Sequence, residues 1–296
     1  MEGRYVNPFT DFGFKKLFGE EASKPSLIDF LNSLLPSNAQ IRNLSFKNSE
    51  QLGALSDERK AVFDIYCEGE NGEKFIVELQ KAKQDFFRER TIFYSTFPIA
   101  EQAKQGKDWN FNLTAVYCIG ILDFTFSDYK DEADSHQIKH EIKLRYPDGA
   151  TFYDKLTYIY LEMPNFTKAE SELDSRLDKW LYFIKYLKEF QDIPLIFRNE
   201  VVFLSAFEKA EVAKYTLEEK FNYNQSLKNY WDLVNVMNSA VGKASRENFE
   251  KGLEKGIEIG IEEGVAKVAR ALKLKGISQE IISETTGLTI EEITSL

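Results

Sequence analysis

The chain has 296 residues, 43% hydrophobic and 14% aromatic, and a formal net charge of −10. That is apolar material for one large domain with an appendage, or two modest ones, and it excludes general disorder. The acidic balance excludes attraction of nucleic acid or anionic membrane by the surface as a whole, leaving only a local basic patch for such a role.

The opening "MEGRYVNPFT" lacks the apolar stretch of a secretory signal, and no apolar run reaches the roughly 18 residues that cross a bilayer. A cytoplasmic protein is expected. "TDFGFKKLFG" and "KPSLIDFLNSLLP" predict two short amphipathic helices, the second stopped by Pro36. Strands are expected at the edge segment Ile41–Phe46, at Ala61–Glu68 and at Lys74–Gln80. "QDFFRERTIFYSTFPIAEQAKQGKDW" predicts one long helix, disturbed at Pro98 and stopped near Gly106.

"NLTAVYCIGILDFTF" is continuously apolar, as a central strand covered on both faces would be. Cys67 and Cys118 lie in apolar strand-like runs and read as buried, reduced thiols. "SDYKDEAD" reads as an acidic loop, and "HQIKHEIKLRY" and "LTYIYLEM" as further strands. His136 and His140 lack the additional His or Cys that a zinc site would use. After Pro164 the pattern turns helical, with Leu173, Leu177, Trp180, Leu181, Ile184 and Leu187 on one face.

The stretch "AVFDIYCEGENGEKFIVELQ", residues 61–80, puts carboxylates among hydrophobic strand residues. Asn71-Gly72 signals a hairpin. A three-residue loop, Glu70-Asn71-Gly72, pairs Gly69 with Glu73 and so sets Asp64 opposite Glu78. Asp64, Glu78 and Gln80 then share one face, and Phe63, Ile65, Val77 and Leu79 the other. Two ionised carboxylates about 4 Å apart repel by roughly 4 kcal/mol at an effective dielectric of about 20, so a proton, a basic side chain or a divalent cation must offset them. Hard oxygen ligands with open coordination positions suit Mg²⁺ or Mn²⁺. Gln80 would lie beside the ion, a layout for phosphodiester hydrolysis. A solvated polar face on an exposed hairpin fits the same pattern.

Asp64…Glu78-x-Gln80 resembles the PD-(D/E)XK nuclease motif, with Gln at the usual Lys position. With "TDFGFKKLFG", "RERTIFYSTFPIAEQAKQGKDW", "LDKWLYFIK" and "YNQSLKNYWDLVN" in order, the chain resembles the PD-(D/E)XK nuclease family transposases, related to the Rpn recombination-promoting nucleases. The resemblance implies an α/β fold with an αβββαβ core, a mixed sheet flanked by helices, and metal-dependent DNA cleavage. It puts the metal carboxylates at Asp64 and Glu78 and a catalytic role at Gln80. An acidic residue from the first helix joins them, with Asp11 and Glu20 the candidates. Glutamine brings no charge to the phosphate, and Lys60 is a candidate to compensate. The alternative is a retired nuclease scaffold that binds DNA or protein as a regulator.

Between Lys81 and Lys107 six basic residues stand against three acidic ones. Lys81, Arg88, Arg90 and Lys104 are candidate phosphate contacts, and Gln102 a sugar or base contact. The nuclease-like domain is expected over residues 1–241, with helical additions after about 164, and a helical tail over 242–296. In that tail Gly252, Gly256, Gly260 and Gly264 recur at four-residue spacing beside Leu253, Ile257, Ile261 and Val265. Each glycine inside a helix costs about 1 kcal/mol relative to alanine, which a homodimer formed through this helix would explain. Beyond it, "ISQEIISETTGLTIEEITSL" predicts two short helices, Gly287 as a stop and a capping box from Thr289. No Lys or Arg follows Lys275, so this end reads as a protein-contact module rather than a DNA reader.

Overall fold

The computed structural model describes residues 3–51, 61–83, 85–103, 110–126 and 136–296. Thr10 Oγ1 accepts the amide of Gly13 at 3.0 Å and so caps the first helix, α1 (Asp11–Phe18). Its Phe14, Leu17 and Phe18 are buried. The second, α2 (Lys24–Leu34), carries Pro25 in its first turn and ends where Leu35 turns extended ahead of Pro36.

Short strands β1 (Leu44–Phe46), β2 (Glu50–Gln51) and β3 (Ala61–Val62) follow, then β4 (Ile65–Gly69) and β5 (Lys74–Gln80). Helix α3 (Phe87–Glu101) crosses from β5 to β6 (Val116–Leu122), ahead of the antiparallel pair β7 (Lys139–Arg145) and β8 (Thr151–Glu162). Among the described residues, six strands form one mixed sheet in the order β1-β4-β5-β6-β8-β7. The β6 segment is its centre, parallel to both β5 and β8, which is why its sequence is apolar throughout. Cys67 and Cys118 are buried free thiols.

Strand alternation divides the core. Tyr66, Ile76, Cys118 and Tyr158 face α3, joined by Tyr94 and Phe97 from the helix. Val77, Ile119 and Ile159 form a register row on the opposite face and are buried as well. The strand expected over Ala61–Glu68 is two strands. It breaks at Phe63–Asp64, and β3 pairs with β2 in a separate ladder. The break also moves Phe63. Expected beside Ile65 and Val77, it packs instead on Tyr66 at 5.7 Å and on Tyr94 at 5.3 Å, on the α3 side.

Helices α4 (Arg176–Tyr186), α5 (Val201–Ala210) and α6 (Leu217–Leu274) complete the helical part. Trp180 is fully buried against Phe18, Phe30 and Phe203, and its Nε1 donates to Asp29 Oδ2 at 2.7 Å. The chain divides into two compact units, Met1–Trp231 and Asp232–Leu296. The boundary lies inside α6, and Gly242 falls further along the same helix. Within the second unit, α7 (Gln279–Thr286) ends at Gly287 with φ +75°, and α8 (Ile290–Ser295) opens on the Thr289–Glu292 capping box. Ala269, Ile282 and Ile293 form its small core. Among the described residues no helix is long and apolar enough to cross a membrane.

Candidate active site

The Asn71-Gly72 turn sets the register that builds the site. Gly72 takes φ +87°, a conformation that favours glycine, and the Gly69 amide donates to Glu73 O at 2.8 Å. The ladder pairs Glu68 with Lys74 and Ile65 with Val77, so one step on Asp64 stands opposite Glu78. There the backbone ladder stops and side chains replace it. The Asp64 amide donates to Glu78 Oε1 at 3.2 Å, and the Leu79 amide donates to Asp64 Oδ2 at 2.7 Å. The two carboxylates thus converge, each held through one oxygen by a backbone amide.

Burial drives their electrostatics. It raises the proton affinity of Glu78 to about 8, with the neighbouring Asp64 adding to the shift and the Asp64 amide opposing it. Burial also raises Asp64, against the Leu79 hydrogen bond. The pair therefore carries less positive charge around it than two ionised carboxylates require. Among the described residues no ion pair reaches either one, and their second oxygens, Asp64 Oδ1 and Glu78 Oε2, accept no hydrogen bond.

Helix α1 contributes charge from the side. Asp11 pairs with Lys15 at 3.0 Å, one helical turn away. The Asp11 charge raises Asp64, while Lys15 lowers both Asp64 and Glu78. Lys81, just past β5, is half-buried. Burial lowers its proton affinity, and Asp11 and Asp64 oppose that. Glu20 instead binds Lys16 at 3.1 Å.

Gln80 is 8% exposed, with both ends of its amide engaged. Its Nε2 donates to Ala82 O at 3.1 Å, and its Oε1 accepts from Arg90 Nη2. The Arg90 guanidinium lies over the rings of Phe87 and Tyr94, 5.7 Å from each centroid, and its charge favours ionised Glu78. A neutral residue at the motif's third position thereby fixes a cation from α3 beside the carboxylates. Glu78 and Arg90 also line a cavity of about 20 Å³ beneath α3, enough for about one water.

The fold thus gathers Asp11, Asp64, Glu78, Gln80, Lys81 and Arg90. It does not bring Arg88 to them: that side chain lies over Phe126, 4.7 Å from its centroid, on the other flank of α3. Gln102 sits at the far end of the helix, where its Oε1 accepts from the Thr114 amide at 2.7 Å and its Nε2 donates to Pro98 O. Lys60 and Lys104, like Gly106 and the acidic segment after Phe126, lie outside the described residues. Lys15 is the site cation that sequence reading missed. Its signal was present, four residues after Asp11 in "TDFGFKKLFG".

Among the described residues no three His, Cys, Asp or Glu side chains group to cage a metal. The pair offers two hard carboxylate oxygens instead. That donor set suits Mg²⁺ or Mn²⁺, which Mg²⁺ in particular fills out with waters and substrate phosphate oxygens. A family model described as PD-(D/E)XK nuclease family transposase matches residues 8–240. No curated protein and no solved structure matches the chain.

Proposed function

Because the chain belongs to the PD-(D/E)XK nuclease family transposases, we propose that it is a divalent-metal-dependent DNA endonuclease, acting in the cytoplasm in recombination or mobile-element biology. The family itself ties the chain to nuclease-like function and mobile elements. What supports the metal-dependent step is the convergence of Asp64 and Glu78, each with one oxygen uncommitted.

Asp64 and Glu78 would hold Mg²⁺ or Mn²⁺. Once bound, the cation lowers the pKa of water and neutralises charge developing on the phosphate. The chain's own residues do the rest. Lys81 and Lys15 offer ammonium groups to the phosphate from the α1 side, and Arg90 offers its guanidinium from α3. Gln80 acts as a positioning residue, since its amide fixes Arg90.

The test is purified protein on supercoiled plasmid in Mg²⁺, in Mn²⁺ and in chelator. Nicked and linear product in either metal and none in chelator is the expected result. DNA retained uncut under all three conditions would favour the binding regulator on a nuclease scaffold.

We further assign the α6 glycine row to pairing of two copies of the chain. Among the described residues, an added Cβ at Gly252, Gly256, Gly260 or Gly264 would meet nothing within 4 Å, so no packing among them accounts for these glycines. Deleting residues 246–296 is expected to reduce the particle in solution from two chains to one; an unchanged number of chains per particle would refute the assignment.

A further inference from the structure

Two adjacent phenylalanines open α3, and only one of them is packed. Phe87 is 7% exposed and lines the small cavity together with Glu78 and Arg90. Phe86 is 76% exposed. Among the described residues its ring makes no aromatic or cation–π contact.

The backbone of Phe86 is strained as well. It takes φ +60° and ψ +28°, in the left-handed region. For a bulky side chain that is an outlier, and the residue that caps a helix is ordinarily extended and polar. Phe86 supplies no side-chain cap; its carbonyl alone takes part, accepting the Arg90 amide at 2.9 Å. Glycine or asparagine would adopt this conformation with less strain. Strain and exposed apolar surface thus coincide at one residue, and packing among the described residues explains neither.

The ring belongs to the site's own segment. The chain reaches Phe86 directly after β5, which ends on Glu78, Leu79 and Gln80. One residue further, Phe87 shares the cavity with Glu78, and four residues further, Arg90 is held by Gln80 Oε1. The segment is locally basic in a chain of net charge −10: Lys81, Lys83, Arg88 and Arg90 stand against Asp85 and Glu89. Among its described residues Phe86 is the one large apolar side chain left exposed.

We propose that Phe86 is a base contact, its ring stacking on an unstacked nucleobase of the DNA strand that lies across the carboxylate pair. This rests on the DNA-cleaving reading above and adds to it which side chain grips the strand beside the cut. The setting of the ring favours DNA over a protein partner. A protein interface would present a continuous apolar patch, whereas Phe86 is a single ring among charged neighbours. A nucleic acid strand alternates flat base faces with phosphates, which matches one exposed ring in a basic segment.

The test compares full-length protein, in chelator, on two fluorescent single strands of equal length: one bearing bases, the other an abasic deoxyribose-phosphate chain. Wild type is expected to bind the base-bearing strand at least about tenfold more tightly. Phe86→Asn removes the ring and puts at φ +60° a residue that accepts it. Its affinity for the base-bearing strand should fall about tenfold, while its affinity for the abasic strand stays within about twofold. Its melting temperature should match or exceed that of wild type. Phe86→Trp, a second variant, should keep the base preference. No preference in wild type, or the same preference in Phe86→Asn, would overturn the contact. A melting temperature lowered by more than about 4 °C in Phe86→Asn would make the ring part of the fold and overturn it too. The plasmid assay reports separately: a Phe86-dependent base preference without metal-dependent cutting supports the contact and overturns the nuclease reading.

Discussion

Glu78→Gln and Asp64→Asn proteins are each expected to lose at least about a thousandfold in the rate of plasmid cleavage, in Mg²⁺ and in Mn²⁺ alike. The magnitude follows from what a bound cation contributes. Several kcal/mol of charge stabilisation at the phosphate corresponds to about three powers of ten in rate. Both substitutions preserve shape, and both keep the local hydrogen bonds. The glutamine amide oxygen of the first would still accept the Asp64 amide, and the asparagine amide oxygen of the second would still accept the Leu79 amide. Loss of activity should therefore come without loss of fold, checked by an intact cooperative melting transition. Full cleavage by either variant would remove that carboxylate from the chemistry.

Glu78→Gln should also make the metal-free protein more stable. Burial and the Asp64 charge hold the Glu78 carboxyl at about 8, against 4.5 for a free glutamate. An acid whose proton affinity is raised on folding contributes stability that is complete below pH 4.5 and fades as pH climbs through 8. In chelator, wild-type stability should fall across that window by an amount on the order of 4 kcal/mol. Glu78→Gln carries no titrating group at this position, so its profile should be flatter and its melting point at pH 8 higher than wild type. Mg²⁺ or Mn²⁺ should restore wild type, by about 3 kcal/mol at a hundredfold excess over the dissociation constant, and leave the variant unmoved. Denaturant melts from pH 5 to pH 9, with and without metal, measure all three effects. A wild-type profile that rises with pH in chelator would contradict the buried, charge-deficient pair.

Much of the site was legible because strand parity is strict. Asn71-Gly72 fixes the loop length, the loop fixes the register, and the register sets Asp64 opposite Glu78. The apolar run around Val116–Leu122 likewise identified the central strand. What sequence reading could not see was where side chains replace backbone. Asp64 leaves the ladder because two side chain–amide bonds substitute for it, and no periodicity records such a substitution. That single break also carries Phe63 to the other face.

The basic residues were legible as a group but not in direction. Arg88 and Arg90 are two positions apart on a helix that turns about 100° per residue, so they fan to opposite flanks of α3. The Lys15 charge acts on the pair only through the placement of α1, a tertiary fact absent from local pattern. Gln80 looked like the missing lysine; through Arg90 Nη2 it secures a cation instead of supplying one.

The central claim is that Asp64 and Glu78 together hold one divalent ion, and the most direct measurement is anomalous scattering from crystals of the full chain soaked in Mn²⁺. One peak in bonding contact with Asp64 Oδ1 and Glu78 Oε2 is predicted, absent from Glu78→Gln crystals soaked alike. A wild-type site that stays empty at millimolar Mn²⁺, or holds Arg90 or Lys81 wedged between the two carboxylates, would contradict it.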